Sequence, residues 1–70
     1  MALAKKSFSL SGHRTSVALE AEFWAVLEQE AARLKQSLAG YVAEIDKNRG
    51  TRPLASALRL TALAAAKSAP

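Results

Sequence analysis

Arg14 and Ser16 are the residues of this chain best placed to engage a partner. In Arg14-Thr15-Ser16-Val17-Ala18-Leu19, polar and apolar residues alternate. Arg14, Ser16 and Ala18 therefore share one side of a strand, and Thr15, Val17 and Leu19 share the other. Hydrogen-bonding side chains at that spacing offer recognition rather than bond making. No other residues assemble into a catalytic set. His13 is the only histidine and there is no cysteine, so neither a metal-ligand cluster nor a nucleophile–base pair can be drawn. Glu28 and Glu30 project about 200° apart around a helix and cannot act as paired carboxylates. Gly12, Gly40 and Gly50 stand alone, which excludes a glycine-rich phosphate loop. Asp46 and Arg49, three residues apart, read as a bracing ion pair. The chain is expected not to be an enzyme and to need no metal or cofactor.

A lone strand needs a partner for its backbone N–H and C=O groups. Nothing else in the sequence reads as a strand, so a second copy of the chain is the simplest partner. The two copies would form an antiparallel ribbon whose polar face meets DNA. Composition points the same way. Seventy residues allow one domain, marginal by itself. Half the residues are hydrophobic and no disulfide can brace them, so oligomerisation is the expected route to a sufficient core. The net charge is +4, which suits nucleic acid or an anionic surface. Lys5, Lys6 and Arg14 lie in an opening stretch that holds no acid before Glu20. No segment approaches the roughly 18 apolar residues of a membrane span. Met1 to Ala4 ahead of Lys5-Lys6 is too short, and in the wrong order, for a signal peptide. A cytoplasmic location is expected.

The strand is expected over about 14–19. Residues 1–12, with scattered serines, read as a flexible basic arm, either with its distal part extended alongside the strand or as a plain disordered terminus, whose functional role would be to touch phosphates through Lys5 and Lys6. His13 could touch a phosphate from the strand's start. Phe23, Leu27, Ala31 and Leu34 predict an amphipathic helix over about 21–35. Leu38, Tyr41, Val42 and Ile45 predict a second over about 38–48. Ser37 is its expected N-cap and Gly50 the left-handed residue beyond its end. Pro53 opens a third helix over about 53–66, with a frayed end to residue 70. Residues 13–50 would be one folding unit and 51–70 its C-terminal extension. The expected core is Val17, Leu19, Phe23, Trp24, Leu27, Leu38, Val42 and Ile45, shared between two chains. The backbone N–H groups of Ser37, Leu38 and Ala39 form the positive end of a helix and would suit a phosphate.

Strand, helix, helix, with Val17 and Leu19 turned inward, resembles the ribbon-helix-helix family of bacterial DNA-binding proteins, the group of Arc and MetJ. Gly12-His13-Arg14-Thr15-Ser16, Leu19-Glu20, Phe23-Trp24, Leu38, Ile45-Asp46 and Leu54-Ala55-Ser56-Ala57-Leu58-Arg59 resemble a subset of short members with a third helix. The resemblance implies a mainly α fold with one short strand per chain. Two chains would intertwine as a homodimer around a two-stranded antiparallel ribbon, with an extra C-terminal helix. It implies a sequence-specific transcriptional repressor whose ribbon enters the major groove, with Arg14, Ser16 and Ala18 on base edges. Ala18 stands where many relatives carry Arg, and Glu20 where many carry Pro. That implies modest discrimination, or several dimers binding DNA together. The alternative is an antitoxin or interaction module whose apolar third helix binds a partner protein.

Overall fold

The computed structural model describes residues 2–68. It contains two strands and three helices: β1 (Leu3–Leu10), β2 (His13–Glu20), α1 (Ala21–Arg33), α2 (Leu38–Asn48) and α3 (Leu54–Ser68). The frayed end expected at Ala69 and Pro70 lies outside the described residues.

Most of the arm expected over residues 1–12 is extended alongside the expected strand, as a strand of its own rather than a flexible segment. β1 and β2 pair antiparallel from Leu3↔Glu20 to Leu10↔His13. Ser11 and Gly12 join them with φ of 51° and 81°. Two consecutive positive φ values define the turn whose twist matches a hairpin's strands. The orphan strand thus finds its partner in its own chain, and the single-strand fold class is corrected to a two-stranded hairpin. Alternation explains the sheet's two faces. Ala4, Lys6, Phe8 and Leu10 share the inner face with Thr15, Val17 and Leu19. Phe8, Leu10, Val17 and Leu19 are buried there.

The helices form the platform beneath. Trp24 and Leu27 of α1, Val42 of α2 and Leu58 of α3 meet the sheet's inner face in one core. Trp24 lies 5.8 Å from Phe8, centroid to centroid, and its indole N–H donates to the Ala4 carbonyl at 2.8 Å. A buried indole needs such an acceptor, and the bond ties β1 to α1. The expected core residues all lie in or against this chain's core. Val17, Leu19, Trp24, Leu27 and Val42 are buried, and Phe23, Leu38 and Ile45 pack partly buried against them.

Each helix end has a local cause. α1 stops at Arg33, two residues before the expected end, with Leu34 as C-cap. Lys35 is left-handed at φ 58°. The Gln36 N–H donates to Ala31 O at 2.9 Å and the Lys35 N–H to Ala32 O at 3.0 Å, the paired bonds of a Schellman motif. Ser37 caps α2, its hydroxyl accepting from the Gly40 N–H at 3.0 Å. Gly50 is left-handed at φ 64°. Arg49 braces the next corner through Asp46 at 2.6 Å and the Arg52 carbonyl at 2.8 Å. α3 then packs mainly along α1, burying Ala57, Leu58 and Ala62.

Candidate nucleic-acid interface

The hairpin's outer face is a flat array of polar side chains. Its rows follow from the register: Lys5 opposite Ala18, Ser7 opposite Ser16, and Ser9 opposite Arg14. The Ser7 and Ser16 hydroxyls lie 2.9 Å apart and join the two strands at mid-face. Arg14 and Ser16 are exposed, and Ala18 is half-exposed. Lys5, Ser7 and Ser9 are exposed beside them. Strands about 4.8 Å apart make a ribbon that fits a major groove about 12 Å wide.

The charge on this face is positive. Among the described residues, Lys5 and Arg14 belong to none of the ion pairs. The nearest acid in sequence, Glu20, ends β2 on the same side but turns to α3, where Arg59 Nε donates to its carboxylate at 3.2 Å. A backbone hydrogen bond at Glu20, and then the Arg59 guanidinium, hold this carboxyl below the usual carboxylate range. Its negative charge is therefore matched locally by a residue 39 positions away, a pairing no sequence spacing announces.

The other expected contacts are dispersed. Lys6 lies on the inner side, opposite Val17. Its ammonium sits 3.7 Å from the Glu28 carboxylate and 5.8 Å from the Trp24 ring centroid. The chain thus separates Lys5 from Lys6. His13 is exposed beside the hairpin turn. Ser37, Leu38 and Ala39 belong to the α1–α2 corner. Ser37 satisfies one N–H of the first turn, while the N–H groups of Leu38 and Ala39 keep no helical acceptor. The sequence reading missed β1's share of the outer face. The Ser11-Gly12 dipeptide between two polar–apolar runs was the signal available.

A short ribbon lifted on a helical platform is the architecture of β-ribbon proteins, among which are proteins that read DNA with strands. The chain belongs to the ribbon-helix-helix family: the family model for the ribbon-helix-helix domain matches residues 3–66. That span takes in both strands and nearly all of α3. The family is generally composed of non-enzymatic, dimeric DNA-binding proteins that act in transcription regulation. No curated protein and no solved structure matches the chain. Among the described residues no helix is long and apolar enough to cross a membrane.

Proposed function

We propose that this protein binds duplex DNA through the outer face of its hairpin and acts as a transcriptional repressor in the bacterial cytoplasm. The observation that carries the reading is the face itself: exposed Arg14 and Ser16 beside Lys5, with the one neighbouring acid drawn away to Arg59. Arg14 can bond guanine O6 and N7 together, Ser16 can bond several bases, and Ala18 can touch a thymine methyl. His13 and the free N–H groups at Leu38 and Ala39, with the Ser37 cap beside them, would contact flanking phosphates. Repression then needs only occupancy of a promoter. As a homodimer, the protein would bring two hairpins to DNA, and several dimers could line one operator.

The test is a binding titration on duplex DNA across salt concentrations. Log affinity is expected to fall linearly with log salt. Arg14→Ala should erase sequence preference more than it weakens non-specific binding. A wild-type protein that binds no duplex at low salt would sink the proposal.

A partner-binding role keeps one supporting observation. Leu60 and Leu63 of α3 are 45% and 47% exposed. The opposite face of the same helix carries fully buried Leu58, so α3 is first a core element. Deleting residues 52–70 should therefore lower the melting temperature sharply. An unchanged melt would favour the antitoxin or interaction-module reading.

A further inference from the structure

We infer that Arg59 of α3 is a DNA-phosphate contact, held by Glu20 at the rim of the ribbon's outer face. This rests on the DNA-binding proposal and extends it from the ribbon to the third helix. The register places Glu20 in the outward row of β2, two residues beyond Ala18 and opposite Leu3. Arg59 Nε donates to its carboxylate at 3.2 Å. A side chain of α3 thus reaches the end of a row that otherwise belongs to the strands. It is not enclosed in doing so, since the Arg59 side chain is 38% exposed.

What Arg59 leaves unused sets it apart. Among the described residues, Arg33, Arg49 and Arg59 are the arginines in ion pairs. Arg33 gives Glu30 both Nε and Nη2. Arg49 gives Asp46 its Nε and the Arg52 carbonyl its Nη1. Arg59 uses Nε alone, which leaves both terminal nitrogens of its fork without a partner among the described residues. A guanidinium fork suits two phosphate oxygens at once. One edge of the group therefore holds the protein, and the other is open to an anion. A ribbon lying in the major groove has base edges before it and sugar-phosphate walls beside it. A cation brought to the rim from the supporting helices meets a wall. Glu20 is then a positioning residue, which fixes the fork without touching DNA. Such a contact sets the protein's seating on the duplex and carries no sequence information.

The experiment is a salt titration of binding to a mixed-sequence duplex, run on the full chain. The deciding variant is Glu20→Gln with Arg59→Gln, which removes the pair and leaves the net charge unchanged. The slope of log affinity against log salt should become shallower by about 0.9 for each Arg59 engaged, or about 1.8 for a homodimer. The control is Lys6→Gln with Glu28→Gln, which removes the ion pair on the sheet's inner side, again at constant net charge. Its slope should match the wild type. Glu20→Leu with Arg59→Met replaces the pair by apolar side chains of similar size, a swap that ion pairs commonly tolerate. It supplies the same reading if the amide variant fails to fold in a thermal melt. A wild-type slope in the Glu20 and Arg59 double variants would show that Arg59 only neutralises Glu20, and would overturn the inference with DNA binding intact. An equal loss of slope in the Lys6 and Glu28 control would show a diffuse charge effect, and would overturn it as well. If the wild type binds no duplex at low salt, both proposals fall.

Discussion

A disulfide across the outer face would test whether the ribbon is closed within one chain. Ser7 and Ser16 are opposite each other with hydroxyls 2.9 Å apart. In a hairpin with a two-residue turn flanked by the bonded pair Leu10↔His13, they fall at a non-hydrogen-bonded pair, with Cα atoms about 4.5 Å apart. That is inside the range a disulfide spans. The chain has no cysteine of its own, so Ser7→Cys with Ser16→Cys can form only the intended bond or one between chains. Closing the loop from residue 7 to residue 16 removes about 9 cal/mol/K of unfolded-chain entropy, or about 2.7 kcal/mol at 25 °C. For a domain of this size that raises the melting temperature by about 10–20 °C. The assay is a thermal melt with and without reductant, beside a non-reducing gel. A monomer band with a reductant-sensitive rise in melting temperature is expected. A covalent dimer band would refute the intrachain pairing and revive a ribbon shared between copies.

Lys35→Gly should stabilise the fold by about 1 kcal/mol, because a side chain at positive φ closes the α1 Schellman motif where glycine is free of strain; an unchanged urea midpoint would contradict this. Ser37→Ala removes the α2 cap and should cost about 1 kcal/mol in the same assay. Leu58→Ala should cost about 2–5 kcal/mol, enough to unfold much of a domain this small; a cooperative melt near the wild-type temperature would show that α3 is not core. Glu20 and Glu30 both titrate below their ordinary value of 4.5 in the folded chain. Stability from them is therefore fully present above about pH 4.5 and is lost as pH falls through their folded pKa values. Arg59→Ala should flatten the Glu20 part of that decline in denaturant midpoints between pH 7 and 3, and an unaltered slope would rule the pair out.

The readable parts of the chain were those governed by local rules. β2 showed its period of two because Val17 and Leu19 alternate cleanly with Arg14, Ser16 and Ala18. α2 announced itself through Ser37, its apolar stripe and Gly50. β1 was hidden by two residues on unexpected sides. Leu3 falls on the outer row and is 52% exposed, while Lys6 falls on the inner row. Lys6 is tolerated there because its stem can run along Trp24 while its ammonium reaches Glu28. α1 ends early because Lys35 accepts a conformation usually left to glycine. The fate of Glu20 depends on Arg59, and the enclosure of Trp24 depends on Ala4. Both partners are distant in sequence, and only folding brings them close. For the same reason, the candidate face was half legible: Arg14, Ser16 and Ala18 could be read from alternation, whereas Lys5, Ser7 and Ser9 needed the hairpin register.

The turn at Ser11 and Gly12 carries a consequence for how such a protein changes over generations. In a ribbon shared by two identical strands, one codon change alters two contacts together, so a new operator must change at two places before it is matched. In a ribbon folded back on itself, Lys5, Ser7, Ser9, Arg14 and Ser16 are each encoded once and each displayed once per hairpin. On the proposed DNA-binding reading, preference would then drift one base pair at a time. A two-residue turn thereby turns a symmetric lock into one whose pins are cut independently.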